Sequence, residues 1–362
     1  MTKNLIVRGA PQEYECHVGA WAQLPEHLHR RKLTKLLLLH GKQSWQAATP
    51  FFPDLTDFQL VREYYGGVCT DQRVAEVKYK AVAEQCEGIL VVGGGKITDL
   101  AKQAAHQLRI PVIILPTLAS TCAAYTPLSA MYTNEGAVDR FDLFPQSNAL
   151  VLIDPIVILQ SPKELLIAGI GDSLAKWYEA DAIIRQLATL PVEVQVAHYA
   201  AQACRDNLLT HSAAALTAMD QGELNDAFLT IVETNILLAG MVGGFGDEYG
   251  RTAGAHSIHD ALTILPESHH QLHGNKVAYG ILIQLALENN FAEIDTLLPF
   301  YRELHLPTSL SDMDIQLSDT GYLEVATRAT LPDEYIHLLA DTVTAERVVD
   351  AMKRVEQYVT TR

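Results

Sequence analysis

Three residues of this sequence are of the types that hold a divalent metal: Asp172 in GIGDSLAK, His256 in GAHSIHDALT and His273 in QLHGNK. One carboxylate with two imidazoles is a donor set that leaves coordination positions open for substrate and water. Each residue also has an ordinary reading. Asp172 follows Gly171 where a helical stretch is expected to start, which is a capping position. His256 and His259 are three apart and so share a helix face. Either of them, like His273, is also a residue type common in cores and on surfaces. His259 has two possible uses: a proton carrier at the site, or a support that orients the ligand His256. Spacing alone does not bring the three donors together.

A second chemical feature is the segment ILVVGGGKITDLAK, in which an apolar run enters Gly93, Gly94 and Gly95 and continues as a helical pattern. Glycines there are expected to permit a sharp turn. They also let a pyrophosphate approach main-chain N–H groups at the positive end of the following helix, with Lys96 adding a charge. The spacing is neither that of a dinucleotide fingerprint nor that of a Walker loop, so a plain tight turn is the competing reading.

These features need elements to carry them. Short β-branched and leucine-rich runs, KLLLLHG at 35–41, GILVVGGG at 88–95, IPVIILPT at 110–117 and ALVLIDP at 149–155, alternate with amphipathic stretches. That alternation predicts buried parallel strands with crossover helices, a doubly wound sheet whose ligands bind beyond the C-terminal strand ends. After Pro155 the spacing becomes helical, as in KELLIAGIGDSLAKWYEADAIIRQ. The expected organisation is an α/β dinucleotide-binding domain over 1–160 and an all-helical metal- and substrate-binding domain over 161–362. A cleft between two such domains is the default place for an active site.

With 362 residues, 48% of them hydrophobic, the chain is long enough for two cores. Its 43 acidic against 27 basic residues give a formal net charge of -16, which opposes attraction to nucleic acid and to anionic membranes. The N-terminus lacks a basic segment followed by a long apolar run. The five cysteines, at 16, 69, 86, 122 and 204, form no CxxC pair. A cytoplasmic protein with reduced thiols is expected.

The motifs VVGGGKITDLAK, PTLASTCAAYTPLSAMY, AGIGDSLAKWYEA, GAHSIHDALT and LHGNKVAYG, in this order and spacing, resemble the glycerol dehydrogenase branch of the iron-containing alcohol dehydrogenase family over nearly the whole chain. The resemblance implies a Rossmann-like domain followed by a helical one, as in dehydroquinate synthase-like folds. It implies a divalent metal, Zn2+ first and Fe2+ second, on Asp172, His256 and His273. It also implies cofactor contacts from Gly93, Gly94, Gly95, Lys96, Asp99, Thr117, Ser120, Thr126, Leu128 and Tyr132. Thr126 stands where Ser is common and keeps the hydroxyl. Members of the family commonly assemble, so a homo-oligomer is expected.

Three departures bear on substrate and cofactor. Cys122 stands where glycerol dehydrogenases usually have an aspartate that touches polyol hydroxyls. A neutral thiol there favours an anionic substrate, unless it merely packs. Lys176, one helical turn after Asp172, replaces a further histidine ligand of iron-type enzymes. Its ammonium either meets a substrate carboxylate or pairs locally with Asp172 or Glu179. Gly41 stands where NAD-preferring relatives carry an aspartate, and with Lys42 adjacent NADP is admitted beside NAD.

The expected reaction is therefore metal-assisted hydride transfer between a nicotinamide and a small 2-oxo or 2-hydroxy acid, with Lys176 and His259 as candidate catalytic residues. A polyol dehydrogenase, a phosphate-handling relative such as a dehydroquinate synthase, and a non-catalytic nucleotide-binding protein are the alternatives. AGMVGGFGDEYG supplies no basic residues for a phosphorylated substrate.

Overall fold

The computed structural model describes residues 4–362. The chain divides into two compact units. The first comprises Arg8–Leu166 together with Ala215–Gly240, so a helical segment from late in the sequence belongs to the unit that holds the sheet. The second comprises Ile167–Ala214 and Met241–Arg362, with the described residues before Arg8.

The first unit is built on a six-stranded parallel sheet. Its strands are β1 (Tyr14–Cys16), β2 (Lys35–His40), β3 (Gln59–Tyr64), β4 (Gly88–Gly93), β5 (Val112–Pro116) and β8 (Leu150–Ile153), in the order β1-β8-β5-β4-β2-β3. A separate antiparallel pair is formed by β6 (Leu128–Tyr132) and β7 (Val138–Leu143). Leu36 to Leu39 are all fully buried, and so are Ile89 to Val92. Burial on both faces explains why these strands read as continuous apolar runs. The order reverses direction between β2 and β4, so the switch point lies where His40–Gly41 and Gly93–Gly94 leave the sheet. Helix α1 (Gly95–Leu108) starts there.

The second unit is helical. The helices that matter for the site are α2 (Lys163–Ile184), α3 (Gly254–Leu262) and α4 (His273–Leu287). They meet without intervening side chains. A Cβ on Gly274 would lie 1.7 Å from the Ala168 carbonyl oxygen, and one on Gly171 would lie 2.7 Å from the Gly274 carbonyl oxygen. A Cβ on Gly280 would lie 2.3 Å from the Ala255 carbonyl oxygen. Glycine at these places lets α2 and α3 both pack against α4 backbone to backbone.

One continuous helical run, Asp226–Tyr249, has the length and apolarity of a membrane-crossing segment. Its Phe228, Ile231, Val232 and Ile236 are buried in the protein. Within it Thr234–Leu238 is wound as a π-helix, a local insertion frequent at functional places.

Candidate active site

The glycine-helix contacts set the geometry of the second unit's polar centre. Gly171 precedes Asp172 and His273 precedes Gly274, so the α2–α4 contact places these side chains together. Asp172 lies in the interior of α2, not at its start, so it caps no helix. His256 and His273 each direct Nε2 to within 3.2 Å of Asp172 Oδ1. Among the described residues, Asp172, His256 and His273 form a group whose potential ligand atoms all lie within 4.8 Å of one another.

Each imidazole is held from behind. His256 donates from Nδ1 to Glu179 Oε2 at 2.6 Å. His273 Nδ1 is 2.9 Å from His259 Nε2, and His259 Nδ1 is 2.8 Å from Asp260 Oδ1. Burial and the neighbouring charges of His273, Lys276 and His256 hold His259 well below the usual histidine range. A neutral His259 that donates to Asp260 leaves Nε2 as the acceptor for the His273 Nδ1 proton. Both chains therefore aim Nε2 at a shared ligand, the arrangement in which metal-binding histidines are oriented by carboxylates.

Before any cation binds, a proton shared with Asp172 takes its place among these groups. Burial disfavours ionised Asp172, but Lys176, His273 and the hydrogen bonds from both histidines hold its carboxyl well below the usual carboxylate range. Burial also opposes the His256 imidazolium, yet Glu179 and Asp172 outweigh burial and Lys176 and raise it to about 9. Burial pushes the Asp260 carboxyl up to about 6. Lys176 is itself buried, and its field reaches Asp172, Glu179 and His256. The donor set and its oriented imidazoles fit a divalent cation, whose binding would release the His256 Nε2 proton.

In the first unit the glycine triplet works by leaving room. None of Gly93, Gly94 and Gly95 has a positive φ, contrary to the expectation that glycine is needed there for the turn itself. A Cβ on Gly93 would lie 2.5 Å from Ile97, one on Gly94 3.0 Å from Leu118 and one on Gly95 3.1 Å from Thr121 Oγ1. Gly94 caps α1 with no side-chain acceptor, which leaves first-turn N–H groups for an anion. Lys96 sits 4.9 Å from the centre of the Tyr132 ring. Asp99 pairs with Lys102 Nζ at 2.9 Å.

Residues 117–128, which include Thr117, Ser120, Cys122, Thr126 and Leu128, are held by buried donors that no motif singles out. Lys102 Nζ donates to the carbonyls of Ala123 (2.7 Å), Thr126 (3.2 Å) and Leu128. Asn148 donates to the Ala124 carbonyl at 2.9 Å, and Asn235, in the π-helical segment, to the Ala119 carbonyl at 2.9 Å. Cys122 is half-buried and in no disulfide, and its carbonyl accepts from the Tyr125 and Thr126 N–H groups. Gly41 follows β2, and a Cβ there would lie 2.3 Å from Ser44 Oγ. Lys42 is exposed beside it.

Comparison with known proteins follows the same lines. Residues 11–155 match the family model for iron-containing alcohol dehydrogenase. The chain is 36% identical to hydroxycarboxylate dehydrogenase A of Escherichia coli K12, covering 96% of each sequence. It belongs to the iron-containing alcohol dehydrogenase family. Within that family it is also 37% identical to a glycerol dehydrogenase of Escherichia coli O6:H1, over 81% of this chain and 80% of the relative. The crystal structure of a probable glycerol dehydrogenase from Sinorhizobium meliloti superposes with a TM-score of 0.88 at 29% identity, covering 98% of this chain and 99% of the other. As a family member the chain is an oxidoreductase acting on CH–OH groups of a small molecule, and the family implies NAD(H) and a divalent metal.

Proposed function

We propose that this protein interconverts a small 2-hydroxy acid and its 2-oxo acid by hydride transfer to or from a nicotinamide, with Asp172, His256 and His273 holding Zn2+. The observation that carries the metal reading is the convergence of two oriented imidazole Nε2 atoms on Asp172 Oδ1, each at 3.2 Å. A divalent metal there supplies Lewis acidity, polarising the substrate oxygen and lowering its hydroxyl pKa. Lys176 favours a substrate carboxylate, since its buried ammonium stands one turn from Asp172. Cys122 acts in the same direction by not placing a carboxylate in its loop. His259 has both ring nitrogens engaged, which suits a positioning role behind His273.

Cofactor contacts are assigned to Gly93, Gly94, Gly95, Lys96, Asp99, Thr117, Ser120, Thr126, Leu128 and Tyr132, with Gly41 and Lys42 near the adenosine ribose. NADP is favoured over NAD there. No acid stands at 41 to repel a 2′-phosphate, and Lys42 is exposed beside it. The enzyme is assigned to the cytoplasm and to a homo-oligomeric state.

A nicotinamide absorbance assay with 2-oxobutyrate, 2-oxoglutarate, glycerol and glycolaldehyde, run with each cofactor, tests the reading. Turnover of a 2-oxo acid with the lower KM for NADPH is expected. The second reading, a polyol dehydrogenase, is favoured by the glycerol dehydrogenase relatives, and turnover of glycerol alone would establish it in place of the first.

A further inference from the structure

We infer that Glu179 is a positioning residue that fixes the proton of His256 on Nδ1, and that only a carboxylate can do this at position 179. The inference rests on reading Asp172, His256 and His273 as metal ligands. Three N–H groups converge on this one side chain. Oε1 accepts from the backbone N–H of Ala253 at 2.7 Å and of His256 at 2.9 Å, while Oε2 accepts from His256 Nδ1 at 2.6 Å. Glu179 is 1% exposed, so water is no substitute partner. It follows Asp172 by two helical turns on the same face of α2, so one helix carries both a ligand and the group that orients another ligand.

The same contacts make Glu179 an acceptor for the first N–H groups of α3. An amide cannot serve both purposes. If a glutamine kept its carbonyl oxygen on the two backbone N–H groups, its NH2 would face His256 Nδ1. The imidazole would then relieve the donor clash by moving its proton to Nε2, the atom whose lone pair the metal needs. In the flipped orientation the NH2 would face two backbone donors, leaving them buried and unsatisfied.

Asp260 provides the internal contrast. Its Oδ1 accepts from His259 Nδ1, and an asparagine keeps that acceptor simply by presenting its oxygen. Carboxylate-to-amide changes at 179 and 260 are chemically alike, yet they have different consequences for the site.

The experiment uses the full-length protein, stripped of metal and titrated with Zn2+ against a chromophoric chelator, with 15N-labelled histidines to read tautomers in the loaded form. For Glu179→Gln, Zn2+ affinity is expected to fall about 10- to 100-fold. The far-downfield, exchange-protected His256 Hδ1 signal of the wild type disappears. Asp260→Asn loses less affinity and keeps that signal. Glu179→Asp, which retains both acceptors on a shorter arm, restores the signal in part and serves if the glutamine variant does not fold. A purely structural cap at 179 would lower thermal stability in Glu179→Gln while leaving affinity and tautomer unmoved, and that result overturns the inference. So would an equal loss in Glu179→Gln and Asp260→Asn, or an aspartate variant without the Hδ1 signal. Wild-type protein that takes up no Zn2+ would instead sink the metal reading itself.

Discussion

The two units position their chemistry by opposite means. Around the sheet's switch point the groups offered to a ligand are backbone: three glycines, an uncapped helix start and a loop whose carbonyls are tied back by Lys102, Asn148 and Asn235. In the helical unit they are side chains, buried and each held by a second side chain. A backbone cradle depends on what is absent, namely Cβ atoms. A side-chain centre depends on specific charges, and its cost of assembly is the burial of Asp172, Glu179 and Asp260 away from water. On the proposed function, losses in the helical unit are expected to touch chemistry and those in the sheet unit cofactor affinity.

The largest effect is expected from Asp172→Asn. Removing the carboxylate on which both imidazoles converge is expected to cost several kcal/mol of catalysis, at least about 100-fold in kcat/KM, with little change in cofactor affinity. Steady-state kinetics with elemental analysis of bound metal checks it; retention of both metal and activity would break the comparison. Gly274→Ala comes next. A Cβ 1.7 Å from the Ala168 carbonyl has no side chain to push aside, so a loss of about 3 kcal/mol or more in urea unfolding is expected, together with weaker metal binding. Lys102→Met sharpens the other half. It leaves Asp99 without its buried partner and three carbonyls without a shared donor, and about 2 kcal/mol of stability is expected to be lost. The cofactor KM rises while Zn2+ affinity stays at the wild-type value, and calorimetric metal titration would expose any departure from that.

Four strands, β2, β4, β5 and β8, and the glycine loop were legible because parallel strands buried on both faces write themselves as unbroken apolar runs, whereas the edge strands β1 and β3 are only partly buried and carry no such run. The three candidate ligands were visible as residue types, and the motifs around them supplied the family. Asp172 was misplaced at a helix start because Gly171 reads as a helix breaker. In the structure that glycine lies within a 22-residue helix, where α4 leaves no space for a Cβ. Glu179 and Asn235 carried no local signal for these roles, because the backbone groups they hold lie far along the chain: Ala253 is 74 residues from Glu179, and Ala119 is 116 from Asn235. Nor did any periodicity announce that Ala215–Gly240 folds with the sheet.

The contacts at Gly171, Gly274 and Gly280 also bear on how such a centre can change over generations. Where two helices touch through bare backbone, no graded series of larger and smaller side chains exists, so ligand spacing has no single-step variants to sample. Inheritance at those positions is close to all or nothing. Adjustment is left to the layer behind the ligands, to Lys176, Glu179, His259 and Asp260, where one substitution alters charge or proton placement without moving a helix. A laboratory seeking new specificity in this scaffold has its dials there.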